Sequence, residues 1–128
     1  MTVWIVSIEE GDKPGDPAKF VPQLQRHGAD GLRAASGDAV SWANRTDDVH
    51  EPWPTDQNYV PLSEAQVGPH GSTSYLSDEI NPGRSSRPSW IVPKLTPPPP
   101  PPVIVYGNTV YYCCKLHPQE RSKITITS

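Results

Sequence analysis

The residues best suited to chemistry lie near the C-terminus, in Tyr111-Tyr112-Cys113-Cys114-Lys115-Leu116-His117-Pro118-Gln119-Glu120. A cysteine and a histidine three residues apart, one ending a strand and the other preceding the next, can turn toward a common point. Soft thiolate with imidazole suits copper or zinc, and two histidines with one cysteine in a trigonal arrangement suit copper. Cys-x-x-His arises often by chance, so the reading requires a second histidine from elsewhere. His50 supplies one, six residues beyond Asn44 in the run Gly37-Asp38-Ala39-Val40-Ser41-Trp42-Ala43-Asn44-Arg45-Thr46-Asp47-Asp48-Val49-His50. His27 and His70 sit in polar segments beside glycines and read as surface histidines. His70 becomes an extra ligand only if residues 51–72 fold over the site. Cys113 and Cys114 are the only cysteines and are neighbours, which excludes a disulfide framework.

Such donors need rigid elements to hold them. Val3 to Ile8, Ala39 to Asn44, Val103 to Tyr106, Thr109 to Cys114 and Ile124 to Thr127 read as short strands, with Gly107-Asn108 a hairpin turn. Phe20 to Leu24, Gly31 to Ala35, Ser72 to Leu76 and Ser89 to Val92 are weaker strand candidates. Residues 51–71 are polar and punctuated by proline, and read as a long irregular surface excursion. Pro97 to Pro102 is a polyproline II segment, a stiff exposed loop or a ligand for a proline-reading domain. Seven or eight short strands with no convincing helix predict an all-β antiparallel sandwich or barrel, with Trp42 facing inward.

Composition narrows the function classes. The chain has 128 residues, enough for one domain. Its 17 prolines and 9 glycines argue against a helix bundle, because both are poor in helix interiors. A net charge of −3 without basic clusters makes nucleic acid a poor partner. No run approaches the roughly 18 apolar residues of a membrane span. The N-terminus carries no secretory leader pattern, so the protein is cytosolic or is the mature form of an exported one. No Gly-rich phosphate loop or nucleophile motif is present. Asn44-Arg45-Thr46 matches a glycosylation acceptor, but Asn44 reads as a structural residue of its strand.

Two of these segments, at the correct ends of an all-β chain, resemble the cupredoxins, in particular their amicyanin and plastocyanin branch. Those proteins carry a Gly-Asp-x-Val-x-Trp/Phe-x-Asn strand followed by the first histidine ligand. They end in Tyr-x-Cys-x-x-His-Pro and a Lys-Val/Ile-Thr-Val-like strand. Phe20-Val21-Pro22 with Leu24, and Ile80-Asn81-Pro82-Gly83, extend the likeness over most of the chain. The resemblance implies a single Greek-key antiparallel β-sandwich over residues 1–128, with insertions at about 51–72 and 93–102. It also implies one copper ion held by His50, Cys114 and His117, converging within roughly 4 Å on a rigid scaffold. Cys114 is assigned over Cys113 because Tyr112 and Cys114 share a strand face. Cys113 then reads as a small buried hydrophobe.

Two positions depart from that pattern. Where the resemblance places a weak axial methionine, three residues after the histidine, this chain has Glu120, with Gln119 or water as alternatives. Where many relatives have asparagine after the first histidine, it has Glu51. A carboxylate is a harder donor than a thioether and favours Cu(II). Trp53 shields the metal or simply packs. A dinuclear copper centre needs two cysteines four apart, and a multicopper oxidase needs His-x-His and His-Cys-His clusters; neither pattern is present. The expected function is one-electron transfer with an unidentified redox partner protein, as a monomer and not as an enzyme, in the periplasm or exported if a leader has been removed. The alternatives are copper storage, delivery or sensing, and a metal-free binding module on the same fold.

Overall fold

The computed structural model describes residues 2–22, 31–86, 89–95 and 104–127. Leu24, His27 and the six consecutive prolines lie outside the described residues, so the readings placed on them stop there.

Among the described residues, nine strands form two sheets packed face to face. The first sheet contains β1 (Val3–Glu9), β2 (Lys19–Pro22), β4 (Ala39–Asn44) and β6 (Trp90–Ile91), in the order β2-β1-β4-β6. The second contains β3 (Leu32–Ala34), β9 (His117–Ile126), β8 (Thr109–Cys114) and β5 (Pro52–Pro54), in the order β3-β9-β8-β5, with β7 (Val105–Tyr106) also paired to β8. Val6, Ile8, Phe20, Val40 and Trp42 from the first sheet meet Leu32, Val110, Tyr112, Ile124 and Ile126 from the second to form one core. Alternation along each strand puts these residues on the inner face. Tyr112 ties the two sheets together. Its ring packs edge-on against Phe20 at 4.9 Å and Trp42 at 5.5 Å, and its hydroxyl accepts a 3.2 Å bond from Trp42 Nε1.

The sequence reading is corrected in three places. The sheets are mixed, not wholly antiparallel: β1 pairs parallel with β4, and β3 parallel with β9. Residue patterning sets which face a strand buries but not its direction, and the chain crosses to the second sheet at β3 before returning to β4 beside β1. Residues 51–72 are not one irregular excursion. Pro52–Pro54 is a buried strand on the edge of its sheet, where proline's missing N–H is tolerated. A one-turn helix α1 (Glu64–Val67) follows, begun by a capping box of Ser63 and Gln66. Ser72 to Leu76 is not a strand, because its backbone closes into turns through Ser72 N–H to Pro69 O and Tyr75 N–H to Ser72 O. Among the described residues no helix is long and apolar enough to cross a membrane.

Candidate metal centre

The hairpin β8–β9 carries three of the four expected donors. Its turn is only Lys115 and Leu116, so Cys114 and His117 face each other as a pair. Register then slips between Cys113, opposite Arg121, and Cys114, opposite His117. This irregularity matters because strict alternation would send residues 117 and 120 to opposite faces. With it, His117 and Glu120 both reach the same point as Cys114.

His50 arrives from the segment after β4. It is bridged to Ile80 through His50 N–H to Ile80 O at 3.1 Å and Ile80 N–H to His50 O at 2.7 Å. Main-chain bonds then join it to the hairpin. Glu51 N–H points at Cys114 Sγ at 3.4 Å, and Lys115 N–H donates to Glu51 O at 2.8 Å. The link between the two ligand segments is therefore made by the backbone of Glu51, whatever its side chain.

One donor atom from each of His50, Cys114, His117 and Glu120 lies within 4.8 Å of the others. This is slightly wider than the roughly 4 Å expected from a preorganised set. Cys114 Sγ is 3.5 Å from His117 Nδ1, and the two imidazole centroids are 5.2 Å apart. Glu120 Oε1 is 3.0 Å from His50 Nδ1 and 3.5 Å from His117 Nδ1, while Oε2 accepts a 3.0 Å bond from Ala18 N–H. Glu120 is buried at 6% exposure, although its neighbours Gln119 and Arg121 are exposed.

Burial and charge shape the donors. Burial holds the His50 imidazole below its ordinary value, against the pull of the Glu120 carboxylate. Burial pushes the Cys114 thiol up, opposed by the main-chain amides of Glu51, Leu116 and His117. Burial also raises the carboxyl of Glu51. Cys113 is fully buried on the opposite face, its thiol pushed up to about 12 by burial, and takes no part in the cluster.

His50 Nδ1 and Glu120 Oε1 are both buried and neither has a hydrogen-bond partner, although they lie 3.0 Å apart. Two imidazole nitrogens, a cysteine sulfur and a carboxylate oxygen brought this close are a donor set that fits a transition metal.

The remaining candidates lie elsewhere. His70 is exposed and pairs with Asp78 at 3.0 Å, so residues 51–72 do not bring it to the cluster. Trp53 packs edge-on to Tyr75 and under the Lys115 ammonium, which lies 4.2 Å from its ring centre. Two contributors escaped the sequence reading. Thr46 Oγ1 lies 2.8 Å from His50 Nε2, and the only signal was a hydroxyl residue four positions before a ligand candidate. Ala18, whose amide holds Glu120, carried no signal at all.

Neither a protein-family model nor a curated protein matches the chain. Solved structures do. A purple cupredoxin from Nitrosopumilus maritimus superposes with a TM-score of 0.61 at 15% identity, covering 99% of this chain and 100% of its own. Amicyanin from Paracoccus versutus gives a TM-score of 0.54 at 13% identity, covering 98% of this chain and 80% of its own. The chain has the cupredoxin fold.

Proposed function

We propose that this protein binds one copper ion through His50, Cys114, His117 and Glu120, and carries single electrons to a redox partner. The observation that carries the reading is the convergence of two imidazole nitrogens, a thiol and a carboxylate within 4.8 Å, with His50 Nδ1 and Glu120 Oε1 buried and 3.0 Å apart. Bound copper would supply the Cu(II)/Cu(I) couple. The residues supply fixed positions: the short turn holds Cys114 against His117, Ile80 brackets His50, and Ala18 N–H orients Glu120. Donors so held reorganise little when the ion's charge changes. The His117 side chain is one-third exposed, flanked by the exposed Leu116 and Pro118, and this apolar edge is where a partner protein would dock. A periplasmic or exported location goes with this reading. So does the absence of enzymatic turnover.

Glu120 favours a second reading, copper storage, delivery or sensing, because a buried hard donor stabilises Cu(II). Copper titration followed by visible spectroscopy and a reduction potential separates the two. A carrier gives a reversible couple, whereas a storage protein holds Cu(II) without one. Cys114→Ser should abolish the thiolate-to-copper band and Cys113→Ser should leave it. Lack of that band in the wild type would end the copper–thiolate reading. Reversed behaviour of the two variants would put the ligand register off by one.

A further inference from the structure

We infer that Lys115 is a positioning residue whose ammonium, shared between the face of Trp53 and the carboxylate of Glu64, clamps the Cys114–His117 turn against opening. The inference rests on the copper reading for its consequence, slower release of the ion, and on side-chain geometry for its content.

The clamp follows from the register at one edge of the second sheet. β5 runs antiparallel to β8, with Trp53 opposite Cys113 and Pro52 opposite Cys114. The next step of that ladder brings Glu51 to Lys115, whose N–H donates to Glu51 O at 2.8 Å. Trp53 and Lys115 are then diagonal neighbours across the pair, a spacing that an aromatic ring and a long side chain can span. The contact is made: Lys115 Nζ lies 4.2 Å from the Trp53 ring centre and donates to Glu64 Oε1 at 2.8 Å.

Trp53 is a fixed platform. Its Nε1 donates to Leu62 O at 2.7 Å, and Tyr75 meets its ring edge-on at 5.8 Å. Leu62 immediately precedes Ser63, whose capping box starts α1, and Glu64 is the first residue of that helix. The stretch from Leu62 to Glu64 therefore both holds the indole and supplies the carboxylate. The ion pair alone would contribute little, because the Glu64 side chain is exposed to water. Trp53, however, is only 3% exposed, and attraction between a cation and a ring strengthens as water is excluded. Ring and carboxylate act together on one ammonium.

The turn between the two donors is only Lys115 and Leu116, and Leu116 is exposed. Lys115 is held at its amide and at the end of its side chain, so opening the turn must break all three contacts. Residues 55–71 thereby act on the metal centre, although the four donors lie outside them.

The test begins with the metal-free full chain, labelled with 15N, and the hydrogen exchange of the Lys115 amide. Exchange should quicken about 5- to 30-fold in Lys115→Met, which keeps the side-chain length and loses the charge. Glu64→Gln should give a smaller increase, and Lys115→Arg, which keeps a cation able to stack on the indole, should stay near wild type. Amides of β1 and β4 should keep their protection in all three. In the copper-loaded protein, release of the ion to an excess of chelator should quicken in the same order. Unchanged Lys115 exchange in Lys115→Met overturns the clamp, as does Lys115→Arg behaving like Lys115→Met. Equal quickening in β1 and β4 also overturns it, since that marks a global loss of stability. Faster Lys115 exchange with unchanged copper release overturns the positioning role. If Lys115→Met does not fold, Glu64→Gln, altered at an exposed carboxylate, decides by the same readouts. A wild type that takes up no copper while its Lys115 amide responds in this way supports the clamp and overturns the copper reading instead.

Discussion

Replacing Glu120 by glutamine should raise the reduction potential of the copper-loaded protein by roughly 100–200 mV. Glutamine keeps the size of the side chain and an oxygen that can accept the Ala18 N–H, so the substitution removes little except the negative charge. The carboxylate lies among donors that are within 4.8 Å of one another, and it is buried. Two unit charges about 4 Å apart interact by about 4 kcal/mol at an effective dielectric constant of ~20. Oxidised and reduced copper differ by one unit of charge, so that energy acts on the couple. A tenfold change in equilibrium is about 1.4 kcal/mol and, for one electron, ~59 mV, which gives roughly 170 mV. Solvent reaching the site past the part-exposed His117 draws the value down. The assay is a potentiometric titration followed by visible absorption, on wild type and Glu120→Gln side by side. Glu120→Met should raise the potential further and shift a red or green site toward blue, since it also removes the hard oxygen donor. An unchanged potential and spectrum in both variants would refute the reasoning and place the carboxylate away from the metal's charge.

Other expectations concern the scaffold. Trp42→Ala removes a fully buried ring and its bond to Tyr112, so it should cost about 3–5 kcal/mol and lower Tm by roughly 10–20 °C in denaturation of the metal-free protein. Hydrogen bonds from Trp4 Nε1 and the amides of Thr2 and Ala35 hold the Asp38 carboxyl below its ordinary 3.8. A carboxylate depressed on folding contributes stability above its unfolded value and loses it as pH falls through the folded one. Asp38→Asn should therefore lower Tm at neutral pH, with a gap that closes as the pH drops below 3.8 in a pH series of melts. Gly31 has a φ of +81° and lies against the Lys123 carbonyl, where a Cβ would collide. Gly31→Ala should be strongly destabilising, and a variant melting like the wild type would contradict that contact.

Much of the fold was legible because its signals are local. β4 and β8 follow the expected residues Ala39–Asn44 and Thr109–Cys114, and the Gly107-Asn108 turn joins β7 to β8. Alternation put Trp42 inward and Tyr112 on one face with Cys114, and the core contains all three. What was missed is non-local. Pro52–Pro54 looks unlike a strand until an edge position beside β8 removes the penalty for missing donors. The parallel pairings depend on crossovers between sheets, which no local pattern encodes. At the candidate site, residue types indicated four donors, but the burial of Glu120 depends on the amide of Ala18, 102 residues away in sequence. Thr46 was passed over because a hydroxyl in a loop has many uses, and only its distance to His50 Nε2 selects one.

The restraints on the donors are unequal, and this decides how the site opens. His50 is held at both backbone groups by Ile80, at its ring by Thr46, and through Glu51 to the cysteine. Cys114 is fully buried, and Glu120 is anchored by Ala18. His117 belongs to the same hairpin, yet its side chain is one-third exposed, and among the described residues none hydrogen-bonds its Nε2. Moving His50 would break a buried network, where each bond left unsatisfied costs about 1–3 kcal/mol. Turning His117 outward exchanges contacts at the edge of the cluster for water. On the proposed copper reading, opening would begin at His117, the side chain beside the proposed docking edge. Under that reading electron exchange and ligand exchange would share one edge of the molecule, and a partner seated on Leu116 and Pro118 would close the second while permitting the first.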